Sequence, residues 1–150
     1  MKIYIASDFN LIPKIEGVAK TLEEAGHTIL VKWWSRKDLK TKFAVLEPDD
    51  FYAEFETANA YERDFNGVKE SDVLLFVADE TPRFYGGANV ELGIALGDNK
   101  RCIVLGRLKN SAMYWPVYRA KDINEVLELL TDLERWGLVL KAEDAKDGKN

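Results

Sequence analysis

Glu91 is the residue of this chain whose surroundings most suggest chemistry. It follows Gly86-Gly87-Ala88-Asn89-Val90 and precedes Leu92-Gly93-Ile94-Ala95-Leu96. Two glycines at a strand-to-helix loop let a ligand approach the backbone closely and leave N–H groups free at the helix start. A helix expected over 88–96 puts Glu91 in its first turn, three residues from Ala88 and four from Ala95. That face carries small side chains, so there is room above the carboxylate. An acid in a first turn also complements the helix dipole, which is the plainer use for it. A second acid, Asp64, stands three residues after Tyr61 and four before Val68, at the edge of the stripe its helix turns to the sheet. A carboxylate there is partly desolvated, and a solvated flanking acid is the alternative. Asp79 and Glu80 follow a strand at its ligand-side end, and Tyr4 lies inside the first strand, where a core role is the ordinary expectation.

The elements that must hold these residues alternate along the chain. An apolar run at 3–6 reads as a buried strand leading into the polar loop Ser7-Asp8-Phe9-Asn10. Ile12, Ile15, Val18, Ala19 and Leu22 recur at three and four before Gly26, which predicts a helix over 13–25. A strand is expected at 28–32, an aperiodic charged loop at 35–50, and a helix over 53–69 on Ala58, Tyr61, Phe65 and Val68. Val73-Leu74-Leu75-Phe76-Val77 is apolar on successive positions, as in a parallel strand covered on both faces. The helix at 88–96, a strand at 102–105, a short strand at 117–118 and a final helix before Gly137 complete the order. This alternation predicts a doubly wound α/β domain, flavodoxin-like or Rossmann-like, with a parallel five-stranded sheet and helices on both faces. The domain is expected over 1–140 and a flexible polar tail over 141–150. Ligands of such sheets bind beyond the carboxyl ends of the strands, here after Ala6, Lys32, Val77 and Leu105.

Composition narrows the classes of function. The 150 residues are 47% hydrophobic and 31% charged, the balance of one globular domain. With 26 acidic against 21 basic residues the formal charge is −5, which argues against nucleic acid and anionic membranes as partners. No uncharged stretch approaches the roughly 18 residues of a membrane span, and the N-terminus reaches Asp8 before a signal-peptide apolar region develops. The cytoplasm is the expected compartment. One His and one Cys are too few for an ordinary zinc site, so no metal and no cofactor are expected. His27 reads as a turn residue away from the ligand crevice. Phosphate-loop, dinucleotide and nucleophile-elbow motifs are absent.

Three segments together carry a resemblance. Lys2-Ile3-Tyr4-Ile5-Ala6, the segment from Arg63 to Asp72 with its D-x-N-G-x-x-x-x-D block from Asp64, and the segment from Gly86 to Leu96 with its E-L-G-x-A-L block from Glu91 resemble the nucleoside 2-deoxyribosyltransferase family. The likeness covers most of the chain from Lys2 to about Leu130. It implies an enzyme in which Glu91 attacks the anomeric carbon of a 2′-deoxynucleoside and holds the sugar covalently, chemistry for which a carboxylate is suited. By the same resemblance Tyr4 orients the Glu91 carboxylate, and Asp64 contacts the base and manages its proton. The implied substrate-binding residues are Ser7, Phe9, Asp79, Gly86, Gly87 and Asn89, with Phe9 against the base. Deoxynucleoside and free nucleobase are the implied small-molecule partners, and sites shared between subunits imply a homo-oligomer, at least a dimer. Tyr114, Trp115 and Tyr118 cluster late in the chain and suit an interface.

The sequence departs from the family in two places. An acid expected six residues before the nucleophile is replaced by Tyr85, and the tail ending Asp147-Gly148-Lys149-Asn150 matches no partner-reaching segment. Relatives that hydrolyse nucleoside 5′-monophosphates hold the phosphate with Ser and Arg. Here the glycine loop lacks Ser and the first loop lacks Arg, so nucleosides fit better, although Arg83 and Lys14 can supply positive charge. Hydrolysis, a nucleotide-binding module without turnover, and a partner-binding α/β protein are the competing readings. Trp33 and Trp34 stand at the ligand side of the second strand, as base contacts or as a packing cap.

Overall fold

Successive apolar residues make Lys2–Ala6 a strand (β1) buried from Ile3 onward. The computed structural model describes residues 1–36, 55–81, 85–109, 111–114 and 116–147, with side chains left aside at 55–58, 111–112 and 138–147. Pro13, whose fixed φ suits a first turn, starts α1 (Ile12–Glu24). Gly26, at φ +88°, ends it, and the His27 amide then bonds the Leu22 carbonyl. β2 (Thr28–Ile29), α2 (Phe55–Glu70), β3 (Val73–Val77), α3 (Gly86–Gly97), β4 (Arg101–Leu105), β5 (Tyr118–Ala120) and α4 (Ile123–Asp147) follow.

The five strands are parallel, in the order β2-β1-β3-β4-β5. Helix α1 packs with α4, and α2 packs with α3, so the sheet is covered on both faces as the alternation predicts. The whole of β3 is buried, which is why it lacks an alternating pattern. Between β1 and β3 the strand order reverses, and the crevice beyond their carboxyl ends is the natural ligand position. Tyr4 pairs in register with Leu74 and Ala6 with Phe76 across that junction.

Several boundaries differ from the sequence reading. β2 stops at Ile29 instead of residue 32, because the chain leaves β1 and enters a 3-10 turn at Trp33–Ser35. The Trp33 indole donates to the Ile5 carbonyl at 2.7 Å, and both tryptophans are buried, so the pair caps the end of the sheet. The last strand begins at Tyr118, one residue later than expected. Helix α4 continues through Gly137 to Asp147, so backbone expected in the polar tail is helical. A single interior glycine weakens a helix by only about 1 kcal/mol relative to alanine, and no proline follows to stop it. The expected loop at 35–50 falls almost wholly outside the described residues, as do Arg83 and Trp115. No helix among the described residues is long and apolar enough to cross a membrane.

Backbone bonds fix the ligand-side edge. Gly106 sits at φ +101°, where a Cβ would lie 2.6 Å from the Ala78 carbonyl oxygen. The turn after β4 therefore seats directly on the end of β3, held by Gly106 N–H to the Ala120 carbonyl and Arg107 N–H to the Asp79 carbonyl, each at 3.2 Å.

Candidate active site

Tyr4, Asp64 and Glu91 come together on the face of the sheet covered by α2 and α3. Tyr4 is fully buried in β1, and its hydroxyl donates to Glu91 Oε1 at 2.8 Å. Glu91 lies on α3 beside the buried Ala88, Leu92 and Ala95. Because α3 starts at Gly86, two residues before the expected position, Glu91 sits in its second turn and the first turn holds no acid. The dipole therefore explains this carboxylate poorly, since that effect fades beyond the first turn. Glu91 points to a buried phenol instead.

Helix α2 presents a different stripe from the one its aromatic spacing predicts. Tyr61 and Phe65 are 45% and 44% exposed, whereas Ala60, Gly67 and Val68 are buried. Asp64, four residues from Ala60 and three from Gly67, thus belongs to the inward stripe. The reason is steric: a Cβ at Gly67 would stand 3.1 Å from the Tyr4 ring, so the inward face needs small residues. Asp64 Oδ1 is sealed from solvent without a hydrogen-bond partner.

Burial governs the titration of all three groups. It pushes the Glu91 carboxyl up to about 8, with the Tyr4 hydrogen bond acting downward and the Asp64 charge upward. Burial likewise raises Asp64 to about 6, moderated by the neighbouring Arg63 guanidinium. The Tyr4 phenol is pushed above its ordinary value, first by burial and then by the Glu91 and Asp64 charges. Tyr4 consequently stays a donor. Two carboxyls with separated titrations in one partly dry pocket are the pattern of an acid–base pair.

Of the other residues expected to bind substrate, Ser7, Phe9 and Asp79 follow the ends of β1 and β3, and Gly86, Gly87 and Asn89 lie on α3. Ser7 donates its hydroxyl to the Val77 carbonyl at 2.6 Å, joining the two strand ends. Phe9, in the 3-10 turn Phe9–Leu11, meets the Trp33 ring edge-on at 5.3 Å and is partly buried. The Asp79 amide donates to the Tyr85 hydroxyl, and Asp79 Oδ1 accepts from Glu80 N–H. Gly86 and Gly87 are exposed at the start of α3, with open space where a Cβ would stand, and Asn89 is partly buried one turn before Gly93. Tyr85 is buried with its ring edge-on to Phe76 at 5.1 Å, so the position lacking an acid packs against β3. Lys14 Nζ donates to the Ala78 carbonyl at 2.7 Å. Arg63 and Gly67 were not singled out from sequence, although Gly67 lies inside the Asp64 block and Arg63 directly before it. His27 sits in the turn between α1 and β2, at the opposite end of the strands.

No protein-family model and no curated protein matches the sequence. Solved structures with a similar fold include a 2-deoxyribosyltransferase from the psychrotolerant bacterium Bacillus psychrosaccharolyticus. It has a TM-score of 0.57 at 21% identity, over 84% of this chain and 90% of that one. The CMP N-glycosidase BcmB of Clostridium botulinum is similar with a TM-score of 0.52 at 19% identity, over 89% of this chain and 99% of that one. What this chain shares with both is the doubly wound fold.

The raised titration of Glu91 is also a statement about stability. Its ordinary value is 4.5 and its folded value about 8, so between these pH values the folded chain holds a proton that the unfolded chain has lost. Stability therefore falls as pH rises through that window. Glu91→Gln, which keeps the Tyr4 acceptor but cannot ionise, should be more stable than the native protein at pH 8 by about 1–3 kcal/mol. The difference should shrink toward pH 5. Denaturant titrations at the two pH values check this, and an equal difference at both would contradict the burial argument.

Proposed function

We propose that the chain is a nucleoside 2-deoxyribosyltransferase that cleaves the N-glycosidic bond of 2′-deoxynucleosides through a Glu91 adduct and passes the sugar to another nucleobase. The observation that carries this reading is the partly buried Tyr4–Glu91 hydrogen bond beside Asp64, between the sheet and helices α2 and α3. Two solved proteins of the same fold act on nucleosidic bonds, by their names a 2-deoxyribosyltransferase and a CMP N-glycosidase.

In the forward step a Glu91 carboxylate oxygen bonds to C1′ as the C1′–N bond breaks, and the electron pair leaves with the base. Asp64 supplies the proton that neutralises the leaving base. Burial raises its titration to about 6, which brings the protonated form closer to neutrality than in a solvated aspartate, though it remains the minor form at pH 7. Tyr4 holds the attacking carboxylate in position and favours its charged form through the hydrogen bond. In the return step the nitrogen of an incoming base attacks C1′, the ester bond breaks, and the proton of that base passes to Asp64. Ser7, Phe9, Asp79, Gly86, Gly87 and Asn89 bind substrate around this centre, Phe9 against the base. Nucleosides are preferred to 5′-monophosphates because the glycine loop lacks Ser and the first loop lacks Arg.

Hydrolysis is the second reading, with water accepting the sugar. It is favoured by Tyr85, which puts a buried phenol where an additional loop acid was expected to help manage the proton of the base. Incubation with a deoxynucleoside, with and without excess second base, separates the two. Transfer predicts new nucleoside and suppressed free sugar, whereas sugar released at an unchanged rate identifies a hydrolase. Glu91→Ala should lower either activity by several orders of magnitude while the fold persists. Retention of more than about a tenth of the activity would sink the nucleophile assignment.

A homo-oligomer, at least a dimer, belongs to the same proposal. Tyr61, Phe65 and Val90 are exposed on α2 and α3 next to Asp64 and Glu91, and Tyr118 is 38% exposed. Tyr114 is less suited than the sequence suggested, since its hydroxyl bonds the Leu108 backbone and Arg119 covers its ring at 4.4 Å. Light scattering at micromolar concentration should give at least twice the chain mass, and a monomer would count against the assembly.

A further inference from the structure

Gly67 is the described helical glycine where a side chain would collide. A Cβ there would lie 2.6 Å from Val31 Cγ2 and 3.1 and 3.2 Å from Tyr4 Cδ2 and Cε2. Gly17, Gly93 and Gly97 leave open space at the same atom. Glycine weakens a helix relative to alanine, so the buried position 67 runs against local propensity and its use lies in the close approach. Tyr4 has no exposed surface and sits in the middle of a paired strand, so its ring cannot swing away from α2.

We infer that Gly67 is a positioning residue for the Tyr4–Glu91 pair: its missing side chain lets α2 seat against the Tyr4 ring and so fixes where the hydroxyl points. The ring lies between two constraints. On one edge it meets α2 at Gly67, and at its hydroxyl it donates to Glu91 at 2.8 Å. A methyl group at position 67 displaces the ring by a few tenths of an ångström, enough to degrade a short, directed bond. The charged and titratable groups facing Tyr4 are Glu91 from α3 and Asp64 and Arg63 from α2. Its register partner on β3, Leu74, is uncharged. The hydroxyl's bond is the contact that favours the Glu91 carboxylate, so its loss leaves burial and the Asp64 charge to act alone.

The role of Gly67 rests on the catalytic reading of Glu91, but its test does not. Val31→Ala removes the second collision, and Val31→Ala/Gly67→Ala then isolates the contact with Tyr4. The Glu91 carboxyl is titrated by 13C NMR on the substrate-free protein labelled at glutamate, with Glu91→Gln assigning the signal. Relative to Val31→Ala, the double variant should titrate about one pH unit higher, the scale of a weakened hydrogen bond to a charged acceptor. In a Tyr4→Phe background the same substitution should add nothing, since the hydroxyl through which it acts is gone. Where transfer is measurable, kcat should fall by about tenfold with KM little changed. An unmoved Glu91 titration in a folded double variant overturns the inference, as does a full shift persisting with Tyr4→Phe. If the double variant does not fold, adding Tyr4→Leu, which removes the ring the new methyl meets, should restore the folded circular dichroism. A chain that stays unfolded overturns it too.

Discussion

The hydrogen bond from Tyr4 to Glu91 is the constraint to which the surrounding structure answers. It spans from the middle of the sheet to the second turn of α3, and its 2.8 Å length fixes how closely that helix can lie. A carboxyl taken out of water is disfavoured as an anion, and a single buried phenol offsets only part of that cost. Glu91 therefore titrates near 8, and its ionised form is one that burial disfavours. Such a group destabilises the folded chain above its ordinary titration range.

The small residues of α2 and α3 follow from this. Ala88 and Ala95 let α3 approach the sheet beside Glu91, and Gly67 lets α2 approach the Tyr4 ring. With both helices close, Asp64 is carried into the same pocket and left with a sealed oxygen that nothing in the described protein satisfies. Arg63 tempers its titration. At the mouth, Ser7, Lys14 and the Gly106 turn tie β1, α1 and β4 to the end of β3, so the crevice has a fixed rim.

Much of this was legible in the sequence. The unbroken apolar run at 73–77 announced a strand covered on both faces, and the alternation of elements announced the doubly wound sheet. The Glu91 segment stood out because paired glycines and small residues around one acid are unusual in a helix that merely packs. Three features misled. The aromatic spacing of Tyr61 and Phe65 pointed to a sheet-facing stripe that the structure leaves exposed, because Gly67 and Ala60 give a hydrophobicity pattern almost no signal. The start of α3 at Gly86 was hidden by glycine's weak helix preference, and with it the second-turn position of Glu91. β2 looked longer than it is because the sequence cannot show that the Trp33 indole reaches the Ile5 carbonyl.

The central claim is that the Glu91 carboxylate forms a bond to the sugar, and intact-mass spectrometry after rapid acid quenching tests it most directly. Mixed with a 2′-deoxynucleoside and no second base, the protein should gain the mass of one 2-deoxyribosyl group, mapping to the peptide that contains Glu91. The Glu91→Gln protein should gain nothing. Turnover without any adduct, or an adduct on another residue, would contradict the account.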